Sequence, residues 1–113
     1  MIKIEEAERT PLKYTVADRS QIPEEAAKLI EEKKEKEFQM AYQKGEDLYL
    51  IKGYGRQMSG GYSIQVTDLS ASVNAVFFET KLIGPTEEVQ GGEPSYPYIV
   101  VKTEYRDVPV QFQ

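Results

Sequence analysis

The segment "GYGRQMSGGYSIQV", residues 53–66, is the densest set of chemically capable residues in the chain. It holds four glycines, two tyrosines, two serines and one arginine. Glycine-rich loops cradle phosphates when their backbone N–H groups converge on the anion and a helix comes next to lend its positive end. A dinucleotide fingerprint begun at Gly53 and Gly55 would need its third glycine where Met58 stands. Gly55 and Gly60 have the spacing of a P-loop, but the required lysine is Gly61. Residues 62–67 alternate polar and apolar side chains with period 2, so a strand and not a helix leaves the glycines. Nucleotide binding is not expected, and no cofactor is assigned.

Nucleophilic chemistry has little to work with. Ser59 and Ser63 lie near the glycines, but the chain has no histidine and no cysteine. A serine would need Lys52 or Lys81, or a carboxylate, as its base, and no motif ties them together. Such hydroxyls more simply satisfy turn backbone. Paired-carboxylate hydrolysis requires two acids at a set separation. Asp47, Asp68, Glu79 and Asp107 are available, each at an expected strand end. No calcium-loop spacing occurs, and thiolate and imidazole metal sites are absent by composition. The expectation is therefore no catalytic residue, no metal and no enzyme, with a histidine-free hydrolase as the remaining catalytic reading.

The positive signal is aromatic. Tyr54, Tyr62, Tyr96 and Tyr98, four of eight tyrosines, flank the glycine segment and a Pro-rich loop. Tyrosine offers a large rigid contact with a polar tip, which suits recognition. With Arg56 and Gln57 they form the expected interaction surface, and Gly53, Gly55, Gly60 and Gly61 form the turn that shapes it. Gly60-Gly61 is expected to need positive φ, and Tyr62 and Tyr98 are expected to pack together at one sheet end. A wedge inserted into a protease cleft, or a small-ligand or peptide site, is the alternative use. The net charge of −5 argues against nucleic acid and against anionic lipid. No run approaches the length of a membrane span, and "MIKIEEAERTP" lacks a basic-then-apolar leader pattern.

The elements that must position these residues can be read from periodicity. Residues 1–11 read as a loose arm or a short edge strand through Ile2 and Ile4. Leu12, Tyr14 and Val16 alternate as the inward face of a half-buried strand. One helix is expected near residues 23–36. Pro23 and Glu24-Glu25 suit its first turn, Ser20 is a cap candidate, and Ala26, Leu29 and Ile30 make its apolar stripe. Glu24–Lys28 and Glu32–Lys36 are spaced as helical ion pairs. Then Phe38, Met40 and Tyr42 alternate, "KGED" turns, and "LYLIKGYG" is apolar on both faces, as in a central strand. Tyr62, Ile64 and Val66 begin another strand. "DLSASVN" reads as a bend or strand irregularity, "AVFFETKLIG" stops at Gly84-Pro85, "YPYIVVKTEY" is two-sided, and Val108, Val110 and Phe112 close the chain. The 85–95 loop offers only Val89 as a core residue.

These elements sum to an α+β fold over a single domain, residues 1–113. Six or seven strands, mainly antiparallel, form a twisted barrel- or sandwich-like sheet with one packed helix. Strand edges and tyrosines leave a homodimer open.

The order of motifs is itself recognisable. An aromatic-glycine entry at Gly53–Gly55, a turn and strand at Ser59–Ile64, a strand closing at Gly84-Pro85, and a Tyr-Pro-Tyr strand at Tyr96–Val101 resemble the C-terminal domain of the protease complex subunit PrcB family. The resemblance spans about residues 48–103, and the preceding "VADRSQIPEEAAKLIEEKKEKEFQMAY" is similar to the N-terminal part of short members. It implies a bacterial, non-catalytic accessory domain, secreted or at the cell surface. Its partner would be a protein, a protease or another envelope component. The family lends no catalytic residue to carry over.

Overall fold

The computed structural model describes residues 8–86 and 92–113. In chain order the elements are β1 (Thr10–Pro11), β2 (Thr15–Val16), a 3-10 turn (Arg19–Gln21), α1 (Glu24–Lys33), β3 (Glu37–Lys44), β4 (Asp47–Tyr54), β5 (Ser63–Ala71), β6 (Val76–Ile83), β7 (Tyr98–Glu104) and β8 (Val110–Phe112). The strands form two four-stranded sheets, β1-β5-β6-β8 and β2-β7-β4-β3. The sheets stack as an open sandwich, not a closed barrel, and α1 covers the outer face of the second sheet. The expected arm does contribute a short edge strand, β1, but at residues 10–11, which pair with Ala71 and Ser70. The rest of the expected arm, residues 1–7, and Val89 lie outside the described residues.

The two-sided apolarity of β4 has a direct cause. Leu48 and Leu50 face the sandwich interior with Leu69, Ala71, Val76, Phe78, Ile99 and Val101. Tyr49 and Ile51 face the helix with Ala26, Ile30 and Val100. Because side chains alternate across a strand, a strand covered by a sheet on one side and a helix on the other must be apolar throughout. Burying the Ile30 side chain contributes about 1.5–3 kcal/mol. That docking holds a helix which, at ten residues, is too short to be stable alone.

Several expectations are corrected in detail. The apolar stripe holds, with Ala26 and Ile30 buried and Leu29 half-buried at its margin. The helix stops at Lys33, so Lys36 cannot pair with Glu32 along it. The helical ion pair is instead Lys34–Glu31, 2.8 Å apart. Ser20 lies inside the 3-10 turn, whose cap is Asp18, and Pro23 occupies the position before α1. Around β2 the expected inward face holds only at Leu12, which packs against the sandwich interior, while Tyr14 and Val16 are exposed and Ala17 is buried. The chain turns away after two paired residues, and Ala17 enters the helix-side cluster. The expected bend in "DLSASVN" is present at Val73-Asn74, closed by the Ser72 N–H to Ala75 O bond at 2.9 Å, and a separate register shift in β5 lies between Val66 and Asp68. Finally, β8 pairs with β6 in parallel, because the chain crosses from the second sheet back to the first before pairing.

Candidate interaction site

The glycine segment closes β4 onto the segment before β7. The Tyr54 N–H donates to Pro97 O at 3.0 Å, and Gln57 and Ser95 exchange N–H···O bonds of 2.8 and 3.0 Å. The Ser95 hydroxyl donates to Ser59 O at 2.6 Å, and the Gln57 side-chain amide to Tyr54 O at 3.0 Å. Two of the glycines are required by geometry. Gly55 has φ +74°, and a Cβ there would sit 2.9 Å from the Glu37 backbone nitrogen. Gly61 has φ +86°, with Pro85 Cβ at 3.0 Å. Gly53 leaves room for the Phe38 ring of its cross-strand partner. Gly60 has ordinary φ and open space around it, so only Gly61 of the expected pair needs a left-handed backbone.

The expected interaction residues are split between three places. Tyr54 points into the sandwich, where its hydroxyl shares a 2.6 Å hydrogen bond with the Thr80 hydroxyl on β6. Lys52 lies beside it, 5.2 Å from the ring centroid, and is paired at 2.8 Å with Glu37. Tyr62 is half-buried against Gly84. Tyr98 faces the helix-side cluster, so Tyr62 and Tyr98 stand on different layers and do not form the expected pair. Gln57 is spent on the turn itself. Arg56 is exposed, with its N–H bonded to Glu35 O at 3.2 Å. Tyr54→Phe is expected to cost about 1 kcal/mol in urea unfolding, with Thr80→Val similar and the double variant less than their sum. Additive losses would show that the two hydroxyls act separately.

Tyr96 and Tyr98 do come together, in a groove of about 430 Å³. Its other wall is the turn after β2: Ala17, Asp18, Arg19 and Ile22. This wall is built by a capping box. The Asp18 carboxylate accepts from the Ser20 N–H (2.9 Å) and hydroxyl, and the Asp18 N–H donates to the Gln21 side-chain oxygen at 3.0 Å. The Ser20 hydroxyl and N–H together hold the Asp18 carboxyl below its ordinary pKa. At the rim, the Lys34 ammonium lies 5.3 Å from the Tyr96 ring centroid. Its hydrogen bond to Glu31 raises its pKa and lowers that of Glu31. Among the described residues neither Arg19 nor Arg56 is ion-paired.

The floor of the groove is an open sheet edge. β2 pairs with β7 only at Thr15–Lys102 and Val16–Val101, extended by the Ala17 N–H to Val100 O bond at 2.9 Å. Since Tyr54 N–H binds Pro97 O, the alternation of the ladder turns the Tyr98 N–H and C=O away from β4, toward the groove. Among the described residues no strand pairs with that edge. Sequence reasoning missed the Asp18–Ile22 wall. Its signal is legible, an Asp with Gln three residues later.

Among the described residues no group of three or more acidic side chains is placed to hold a metal, and no helix is long and apolar enough to cross a membrane. A family model described as PrcB C-terminal matches residues 48–104, just over half of the chain. No curated protein and no solved structure matches it.

Proposed function

The chain belongs to the PrcB C-terminal family, and from that premise we propose that it is a non-catalytic accessory domain that docks another protein. The groove beside β7 receives an extended segment of that partner. A protease or another extracytoplasmic protein is the kind of partner the family suggests. The observation that carries this reading is the unpaired edge at Tyr98, set between an aromatic wall and the capped Asp18 turn. An extended peptide gains affinity there from main-chain hydrogen bonds and specificity from alternate side-chain pockets. Arg19 adds attraction for an acidic residue in the incoming segment. The groove is concave, so the domain receives a strand. The Tyr54 and Tyr62 rings that a wedge would present are engaged with Thr80 and Gly84.

The test is capture of partner proteins from an envelope extract of the native host by the immobilised domain. Tyr96→Ala combined with Arg19→Glu should reduce capture by about tenfold, the equivalent of ~1.4 kcal/mol, with an unchanged circular dichroism spectrum. A folded double variant that captures the same proteins in the same amounts overturns the proposal.

A further inference from the structure

The sheet edges of this fold are not equal. β1 and β2 have two residues each, β1 carrying Pro11, and β8 has three. Short strands and proline are the usual means of blunting an edge against pairing. β3 has none of them. It runs eight residues without proline, bulge or register shift, and among the described residues nothing pairs with its outer side. We infer that the outer edge of β3 joins two copies of this chain, antiparallel and about a two-fold axis at Ala41, into one continuous sheet.

Backbone direction and charge set the register. The ladder that turns Tyr98 outward on β7 turns Glu37, Gln39, Ala41 and Gln43 outward on β3. Antiparallel partners share a face, so the axis falls on a residue of the strand. With Ala41 on the axis, Ala41 meets its own copy and Gln39 meets Gln43, each pair exchanging N–H···O=C bonds. On the helix side Met40 then faces Tyr42, both members of the helix-side cluster and both half-buried. Lys44 then falls opposite Phe38, and Glu37 opposite Gly45 at the start of the β3–β4 turn, so no like charges meet. With Met40 on the axis, Lys36 would fall opposite Lys44, twice by symmetry. Like charges directly opposite destabilise a sheet, so charge favours the Ala41 register over the Met40 register. This contact is separate from the β7 groove and does not depend on it.

The absence of cysteine makes the contact testable by a single introduced thiol. Hydrogen-bonded antiparallel partners have Cα atoms about 5.5 Å apart, within disulfide reach. Ala41→Cys should cross-link under mild oxidation to a species of twice the 12.9 kDa chain mass. Gln39→Cys alone should not, but should cross-link when mixed with Gln43→Cys. Unmodified protein should sediment as a dimer with rising concentration. Ala41→Pro removes an outward N–H and leaves the β4 ladder intact, so it should weaken dimerisation by at least about tenfold. Gln39→Lys with Gln43→Lys sets like charges directly opposite and should weaken it, while Gln39→Lys with Gln43→Glu should restore it, which separates loss of contact from loss of fold. Sedimentation as a single chain from micromolar to millimolar concentration overturns the inference. So does cross-linking through Met40→Cys in place of Ala41→Cys.

Discussion

Gly55→Ala is expected to destabilise the protein by at least about 2 kcal/mol, lowering the urea midpoint by about 1 M. Two costs combine. A left-handed backbone at φ +74° costs a residue with a Cβ about 1–2 kcal/mol. The new carbon also lands 2.9 Å from the Glu37 nitrogen, where only a backbone shift can make room. Against a total stability of about 5–15 kcal/mol this is a large fraction. The strain acts on the turn that carries the Gln57–Ser95 bridge and so sets the position of Tyr96. Gly60→Ala, five residues on, is the internal control. It has ordinary φ and nothing within 4 Å, and should change stability by less than about 0.5 kcal/mol. Equal effects at the two glycines in urea titrations would contradict this reading of the turn.

Phe78→Ala is expected to cost about 3–5 kcal/mol. The ring is 1% exposed, central to the sandwich interior, and meets Phe112 edge-on at 6.0 Å between centroids. Phe112 belongs to β8, which holds the first sheet through three register pairs with β6 and the Gln113 N–H to Phe78 O bond at 2.9 Å. Removing the ring leaves a cavity at the point where β8 docks. The variant should therefore show a lowered unfolding midpoint together with faster amide exchange in Val110–Phe112. Protection at β8 that falls only in step with global stability would show that Phe112 does not depend on Phe78.

Much of this architecture is legible in local sequence. Period-2 runs locate β3 to β7, the apolar "LYLI" marks a strand covered on both faces, and Pro23 with its two glutamates marks the start of α1. The glycine segment is legible as a turn because Met58 and Gly61 break both phosphate-loop patterns. The features that escape local sequence depend on tertiary placement. Ala17 and Val16 exchange burial because α1 covers one side of β2 and not the other. Gly60 and Gly61 are alike in sequence, and only the approach of Pro85 and the backbone turn distinguish them. The parallel pairing of β8 depends on a crossing between sheets that no local pattern encodes. For the interaction site, the tyrosines are identifiable as a set, but their division is not. Strand alternation and the bend at each sheet end send Tyr54 into the sandwich and leave Tyr96 and Tyr98 at the groove. Arg19 does not stand out in the sequence, because its position depends on the Asp18–Gln21 cap.

The Tyr98 amide reports most directly on strand addition at the β7 edge. In the isolated domain its N–H should exchange rapidly with solvent deuterium, while Ile99 and Val101, bonded to β4, stay protected. Saturation with an extended peptide selected on the immobilised domain should slow exchange at Tyr98 by at least about tenfold, leaving the β3 amides unchanged. A Tyr98 amide already protected in the isolated domain, or one that stays fast while the bound peptide protects another surface, would contradict a docking strand in this groove.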